Sequence, residues 1–183
     1  KAKLAETAMR ERGKKELFTA EQNLKLKTAH VGVGGMGADD LKSIASHKSV
    51  EVTALCDVDS NNLEKAHKLY PNAKIFKDYR VMLKEMSNEV DAVVVSTPDH
   101  THAPASMMAM ELNKPVYCQK PLTHFVSEAR AMKKIAEENR AEIRLENRMD
   151  ASGRILGAKA VLMLPMQAQM QPGQAPTADT NNV

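Results

Sequence analysis

The stretch that decides the fold is Lys27-Thr28-Ala29-His30-Val31-Gly32-Val33-Gly34-Gly35-Met36-Gly37, an apolar run that breaks into glycines. Residues 32–37 carry the spacing G-x-G-x-x-G, with Gly35 as an additional glycine. In such a turn Gly32 permits the tight exit from a strand. Gly34 lets a diphosphate approach the backbone with no Cβ in the way, and Gly37 lets the following helix pack closely on the sheet. The helix then directs its unpaired amides, about half a positive charge, at the anion. A glycine cluster alone is more often a plain turn, so context decides. Here a strand precedes it and an amphipathic helix follows, opening at Met36. A carboxylate, Asp57, stands 20 residues beyond Gly37 at the tip of the second strand. There it would accept hydrogen bonds from the ribose hydroxyls of an adenosine. Val58, Asp59 and Ser60 follow it with no Arg or Lys, so a 2′-phosphate would meet repulsion. The expected cofactor is NAD(H), favoured over NADP(H). The competing reading of Asp57 is a helix cap, a role for which Asp59 also qualifies.

Working outward, Val-, Ala- and Leu-rich runs alternate with amphipathic stretches, the pattern of βαβ units. Strands are expected at 27–33, 50–56, 73–76, 90–96, 115–119 and, weakly, 142–145. Helices are expected at 36–47, 61–69 (with Ser60 as N-cap), 79–86, 103–112 and 126–140. Six strands with intervening helices give a Rossmann-type doubly wound α/β fold: a mostly parallel sheet, helices on both faces, and strand order 3-2-1-4-5-6.

This unit occupies residues 27–146. Before it, residues 1–26 read as a charged helical arm broken at Gly13. Residues 1–28 hold eight Lys and Arg against four Glu, which accounts for the net charge of +3. After it, 147–163 read as the link to a further domain, and 164–183 as a disordered tail with three prolines, four glutamines and one charge. With 3% aromatics and no Trp, the chain has no stacking platform for nucleic acid, and its basic surplus lies off the folded body. No apolar run reaches the roughly 18 residues of a membrane span. The expected compartment is cytoplasmic, with export the alternative if an upstream signal has been removed.

Two clusters fall at the carboxyl ends of strands four and five, where open α/β sheets bind ligands. They are Thr97-Pro98-Asp99-His100-Thr101-His102 and Tyr117-Cys118-Gln119-Lys120-Pro121. Lys120 offers a cation able to hydrogen-bond a substrate hydroxyl and stabilise a developing alkoxide. From spacing alone a surface lysine before a turn proline is the commoner reading. The two-residue spacing of His100 and His102, with no third ligand in view, argues against a metal. His30, inside the first strand, reads as a packed core histidine. Cys56 and Cys118 end strands three positions apart, about 14 Å at ~4.8 Å per strand, beyond the roughly 7 Å reach of a disulfide. Free thiols are expected.

Taken together, Gly-Val-Gly-Gly-Met-Gly, Cys-Asp-Val-Asp, Thr-Pro-Asp-His-Thr-His-Ala and Tyr-Cys-Gln-Lys-Pro-Leu-Thr resemble the N-terminal half of the Gfo/Idh/MocA (glucose–fructose oxidoreductase / inositol dehydrogenase) family over about residues 27–140. The resemblance implies NAD(P)-dependent oxidoreduction of a sugar, polyol or related hydroxyl compound. It implies that Lys120 matches the lysine of the Glu-Lys-Pro signature, which contacts the nicotinamide ribose and substrate. It also implies that Thr97 and Pro98 line the cofactor cleft and that His102 matches the histidine found there. Gln119 departs from the signature's Glu, and Asp99 from a frequent Asn. The family's second domain, with its catalytic Asp and His, does not follow, although residues 152–163 resemble the strand entering it. The expectation is a cofactor-binding portion with little turnover alone. Two other readings remain: a non-catalytic dinucleotide-binding module that pairs with another chain or its own copy, and a methyltransferase. The latter usually has an acid just before the first glycine, where this chain has Ala29-His30.

Overall fold

The computed structural model describes residues 25–139, together with the backbone of two strands at 142–149 and 155–163. Five strands, β1 (Leu26–Val31), β2 (Val50–Cys56), β3 (Lys74–Phe76), β4 (Ala92–Val95) and β5 (Val116–Cys118), run parallel. Between them lie α1 (Met36–Ala45), α2 (Ser60–Leu69), α3 (Tyr79–Glu85) and α4 (His102–Glu111), and α5 (Val126–Glu138) follows β5. The sheet is completed by β6 (Glu142–Met149) and β7 (Ile155–Met163), giving the order β3-β2-β1-β4-β5-β7-β6.

The carboxyl halves of β1, β2 and β4 are buried, and their side chains alternate between two cores as the two-residue period requires. Ala29, Val31, Ala54, Cys56, Val93 and Val95 face a large core closed by Met82, Met110 and Met132 of α3, α4 and α5. Leu55 faces a smaller one with Leu41 of α1 and Leu63 and Ala66 of α2. Methionine fills the larger core, where aromatic side chains are scarce. The chain reverses its direction of sheet growth between β1 and β4, so the carboxyl ends of these strands flank the switch point.

Two details differ from the sequence reading. The cap of α2 is Asp59, whose Oδ1 accepts from the Asn61 amide at 2.8 Å, and Ser60 is the first helical residue. A carboxylate accepts the orphan amide more strongly than a hydroxyl does. In addition, the strand expected at 142–145 extends to Met149 and does not lie beside β5; β7 takes that place, antiparallel to both neighbours. A five-residue connection cannot carry the crossover that a parallel pairing needs, so β6 and β7 form a hairpin. The end of β6 and all of β7 thus fall within 147–163. The arm at 1–24 and the tail at 164–183 lie outside the described residues. No helix among the described residues is long and apolar enough to cross a membrane.

His30 is 1% exposed, and Thr28 is buried beside it. The Thr28 hydroxyl donates to the Glu51 carbonyl at 3.3 Å, so its oxygen is left to accept from His30 Nε2 at 3.1 Å. Burial lowers the His30 pKa from 6.5 to about 4. Between these values the unfolded state binds the extra proton, so stability falls as pH falls. Wild type is expected to lose up to about 3 kcal/mol through this residue between pH 7 and pH 4. Urea unfolding at both pH values should show a smaller loss for His30→Gln; equal losses would contradict the assignment.

Candidate functional site

At the switch point, backbone meets backbone. A Cβ on Gly32 (φ +83°) would lie 2.7 Å from the Ser96 carbonyl oxygen and 2.8 Å from the Thr97 amide. One on Gly37 would overlap the Gly32 carbonyl and stand 3.2 Å from Ser96 O. The glycine turn is therefore wedged between β4 and α1. Gly34 has a different neighbour from the one the motif suggests: an added Cβ there would strike the Asn62 side chain of α2. Gly35 (φ +51°) faces open space and Met36 is exposed. Among the described residues, the amides of Gly34, Gly35 and Met36 donate to no protein group, whereas those of Gly37 and Ala38 close the helix start on Gly34 O and Gly35 O. Three such amides at a helix N-terminus fit a diphosphate.

Asp57 is half-buried at the end of β2. Its Oδ2 accepts from the Val33 amide at 2.9 Å and its Oδ1 from the Asp59 amide at 2.9 Å. The carboxylate is thus fixed against the glycine turn. An ionised carboxylate has about four acceptor sites, so two remain for a pair of vicinal hydroxyls. Around it opens a cleft of about 680 Å³, and of the sequence-predicted residues Gly32, Gly34, Asp57, Thr97 and Pro98 line it.

The same cleft brings in residues that sequence reading missed: Asn62, Lys77 and Arg80. Pairing of β2 with β3 carries the segment after β3 alongside Asp57. Hence the absence of a cation directly after Asp57 does not make the neighbourhood free of cations. Arg80 lies 4.6 Å over the Tyr79 ring and 3.3 Å from Asp78 Oδ1. Local spacing carries no signal for this juxtaposition.

Behind the cleft wall, His102 is buried, with Nδ1 2.6 Å from Pro121 O and Nε2 2.7 Å from Thr97 O. The ring therefore sits between the two strand-end loops from behind, in contact with a carbonyl of each. Asp99 is exposed, accepts from the His100 amide at 2.9 Å and does not line the cleft. Gln119 is half-buried against Asp40, and Lys120 is exposed at the end of β5. No cluster of three metal-ligating side chains occurs among the described residues. Cys56 and Cys118 are buried free thiols, as the strand order requires. Burial pushes the first up to about 12, aided by Asp57 and Asp78, and the second up to about 11.

Comparison with known proteins gives a family-model match over residues 26–146 to the Gfo/Idh/MocA oxidoreductase family, NAD-binding Rossmann fold. The chain belongs to this oxidoreductase family. Inositol 2-dehydrogenase of Salmonella typhimurium is 34% identical over 101 residues, 54% of this chain and 30% of the relative. Its counterpart in Rhodococcus erythropolis is 36% identical over 103 residues, 55% of this chain and 29% of the relative. Among solved structures, myo-inositol 2-dehydrogenase from Lactobacillus plantarum aligns with a TM-score of 0.58 at 26% identity, covering 62% of this chain and 33% of that one. An NAD-binding protein from Listeria innocua aligns at 0.55 and 29%, with the same coverage. The chain spans about 30% of the length of the curated relatives it matches.

Within this Gfo/Idh/MocA domain the glycines fall into two physical kinds. Gly35→Ala meets no neighbour and should cost only the strain of its backbone (φ +51°, ψ −123°), a conformation disfavoured for side-chain-bearing residues by about 2 kcal/mol. Gly37→Ala drives a methyl into a backbone carbonyl and should cost about 3 kcal/mol. Urea denaturation of the two variants tests the ranking; equal losses, or the reverse order, would contradict the packing described.

Proposed function

We propose that the cleft binds NAD(H) in preference to NADP(H), and that it serves oxidation of a hydroxyl-bearing carbon on a sugar or polyol of the inositol type. The observation that carries the cofactor reading is the Asp57 carboxylate, bonded to the glycine turn through Val33 with acceptor sites to spare. Bound NAD⁺ would supply the hydride acceptor. Gly34, Gly35 and Met36 would hold its diphosphate through their amides, and Asp57 its adenosine ribose. A 2′-phosphate would face Asp57, with Asp59 and Asp78 nearby in the same cleft. Lys77 and Arg80 are outnumbered by these three acids, and Arg80 is already paired with Asp78.

The substrate side of the reading rests on the family and on the inositol dehydrogenases among its relatives. Lys120, exposed at the end of β5, would donate to the substrate hydroxyl and steady negative charge as its proton leaves. Thr97 and Pro98 would flank the cofactor from the β4 side. The described residues thus supply cofactor binding and one charge, so the 183-residue chain alone is expected to show negligible oxidation of myo-inositol or glucose, followed by NADH absorbance.

A thermal-shift titration with NADH, NADPH and S-adenosylmethionine tests the cofactor assignment. At a hundredfold excess over Kd, NADH should stabilise by about 2.7 kcal/mol, a rise of roughly 5–10 °C for a chain of this size. NADPH should give a clearly smaller shift and S-adenosylmethionine none. Asp57→Ala should abolish the NADH shift while still unfolding cooperatively. An NADPH shift equal to that of NADH would overturn the preference; no shift with either would overturn the site.

A further inference from the structure

Asp40, on the second turn of α1, is 6% exposed. Its Oδ2 accepts from the Ser96 hydroxyl at 2.7 Å. Gln119 Nε2 lies 2.7 Å from Oδ2 and 3.0 Å from Oδ1. No Lys or Arg pairs with Asp40 among the described residues, so this buried charge rests on a hydroxyl and an amide. The far end of the same amide, Gln119 Oε1, accepts from the Lys120 backbone at 3.3 Å.

The cluster joins three segments that the cofactor site needs in register. Asp40 belongs to the helix that opens at the glycine turn. Ser96 precedes Thr97 and Pro98 in the cleft wall. Gln119 precedes Lys120. A carboxylate at position 40 can only accept. The residue at 119 must therefore donate toward Asp40 and accept from Lys120, and an amide does both. A carboxylate at 119 would meet the second demand and fail the first, because two carboxylates at this separation cannot both ionise without cost.

We propose that Asp40 and Gln119 form a single-carboxylate lock, with Gln119 as the positioning residue that fixes the Lys120 backbone at the end of β5. The proposal rests on the cofactor reading above, and its chemistry makes the lock reversible. Moving the one carboxylate across the pair keeps a donor facing an acceptor at each link: an Asn at 40 donates to a Glu at 119, Ser96 donates to the Asn oxygen, and the Lys120 amide still finds a carboxylate oxygen, while the second of the two Gln119–Asp40 contacts is given up. Ser96 faces the pair from β4, and Gln119 and Lys120 from β5. On α1 the other charged side chains, Asp39 and Lys42, are exposed, and the nearby His102 ring is committed to Thr97 and Pro121.

The test is NAD⁺ affinity by calorimetry at pH 6.0 and 8.5 for wild type, Gln119→Glu and Asp40→Asn/Gln119→Glu, with thermal unfolding recorded for each. In Gln119→Glu a shared proton should restore the lock at pH 6.0, and its loss should weaken NAD⁺ binding at least tenfold by pH 8.5. The double variant should bind within about threefold of wild type at both pH values. A merely structural role would lower the unfolding temperature of Gln119→Glu without a pH-dependent change in affinity of the folded protein. Wild-type-like affinity of Gln119→Glu at pH 8.5, or no recovery in the double variant, overturns the proposal. If Gln119→Glu does not fold at pH 8.5, the double variant decides alone: folded and binding supports the lock, unfolded overturns it. Failure of wild type to bind NAD⁺ overturns the cofactor reading first and the lock with it, which separates the two.

Discussion

Everything at the ligand-binding end of this sheet depends on three backbones meeting without side chains between them. Gly32 leaves β1 against the carbonyl of Ser96, and Gly37 starts α1 against the carbonyl of Gly32. This contact fixes the distance from the helix N-terminus to the strand ends. It therefore fixes where three unpaired amides point and how far they lie from the acid at the tip of β2. A methyl group at either glycine would push the helix away from the sheet. The amides would then lose their common focus, whatever became of the surrounding core.

Asp57 adds a fixed carboxylate to that geometry. An acid at the end of β2 could have served as a helix cap, and the sequence leaves both readings open. The structure divides the labour: Asp59 caps α2, while Asp57 reaches back to Val33. Because its two backbone bonds hold the carboxylate, little rotamer freedom would remain to be lost on binding the proposed ribose hydroxyls. Preorganisation of this kind favours affinity by lowering the ordering cost.

Much of the fold could be read directly, because buried parallel strands appear as uninterrupted apolar runs such as Val93-Val94-Val95 and each is followed by a helical period. The strand expected at 50–56 coincides with β2. What could not be read were relations between segments distant in sequence. The displacement of β6 by β7 depends on hairpin pairing that residues 142–145 do not signal. Lys77 and Arg80 join the Asp57 neighbourhood only because β3 lies beside β2. Asp40 looks like any acid in a first or second helical turn until the ends of β4 and β5 close over it. Gln119, a departure from the family signature when read alone, donates its side-chain amide to that acid. Residue type and period announce elements; long-range hydrogen bonds announce the chemistry.

The imidazole of His102 has a mechanical consequence. Its two nitrogens span the carbonyls of Thr97 and Pro121, bracing the exits of two neighbouring strands with one rigid, buried ring. A displacement of either exit must move the ring with it or break the contact at that end. The two walls on either side of the switch point thus share one buried ring as a common spacer.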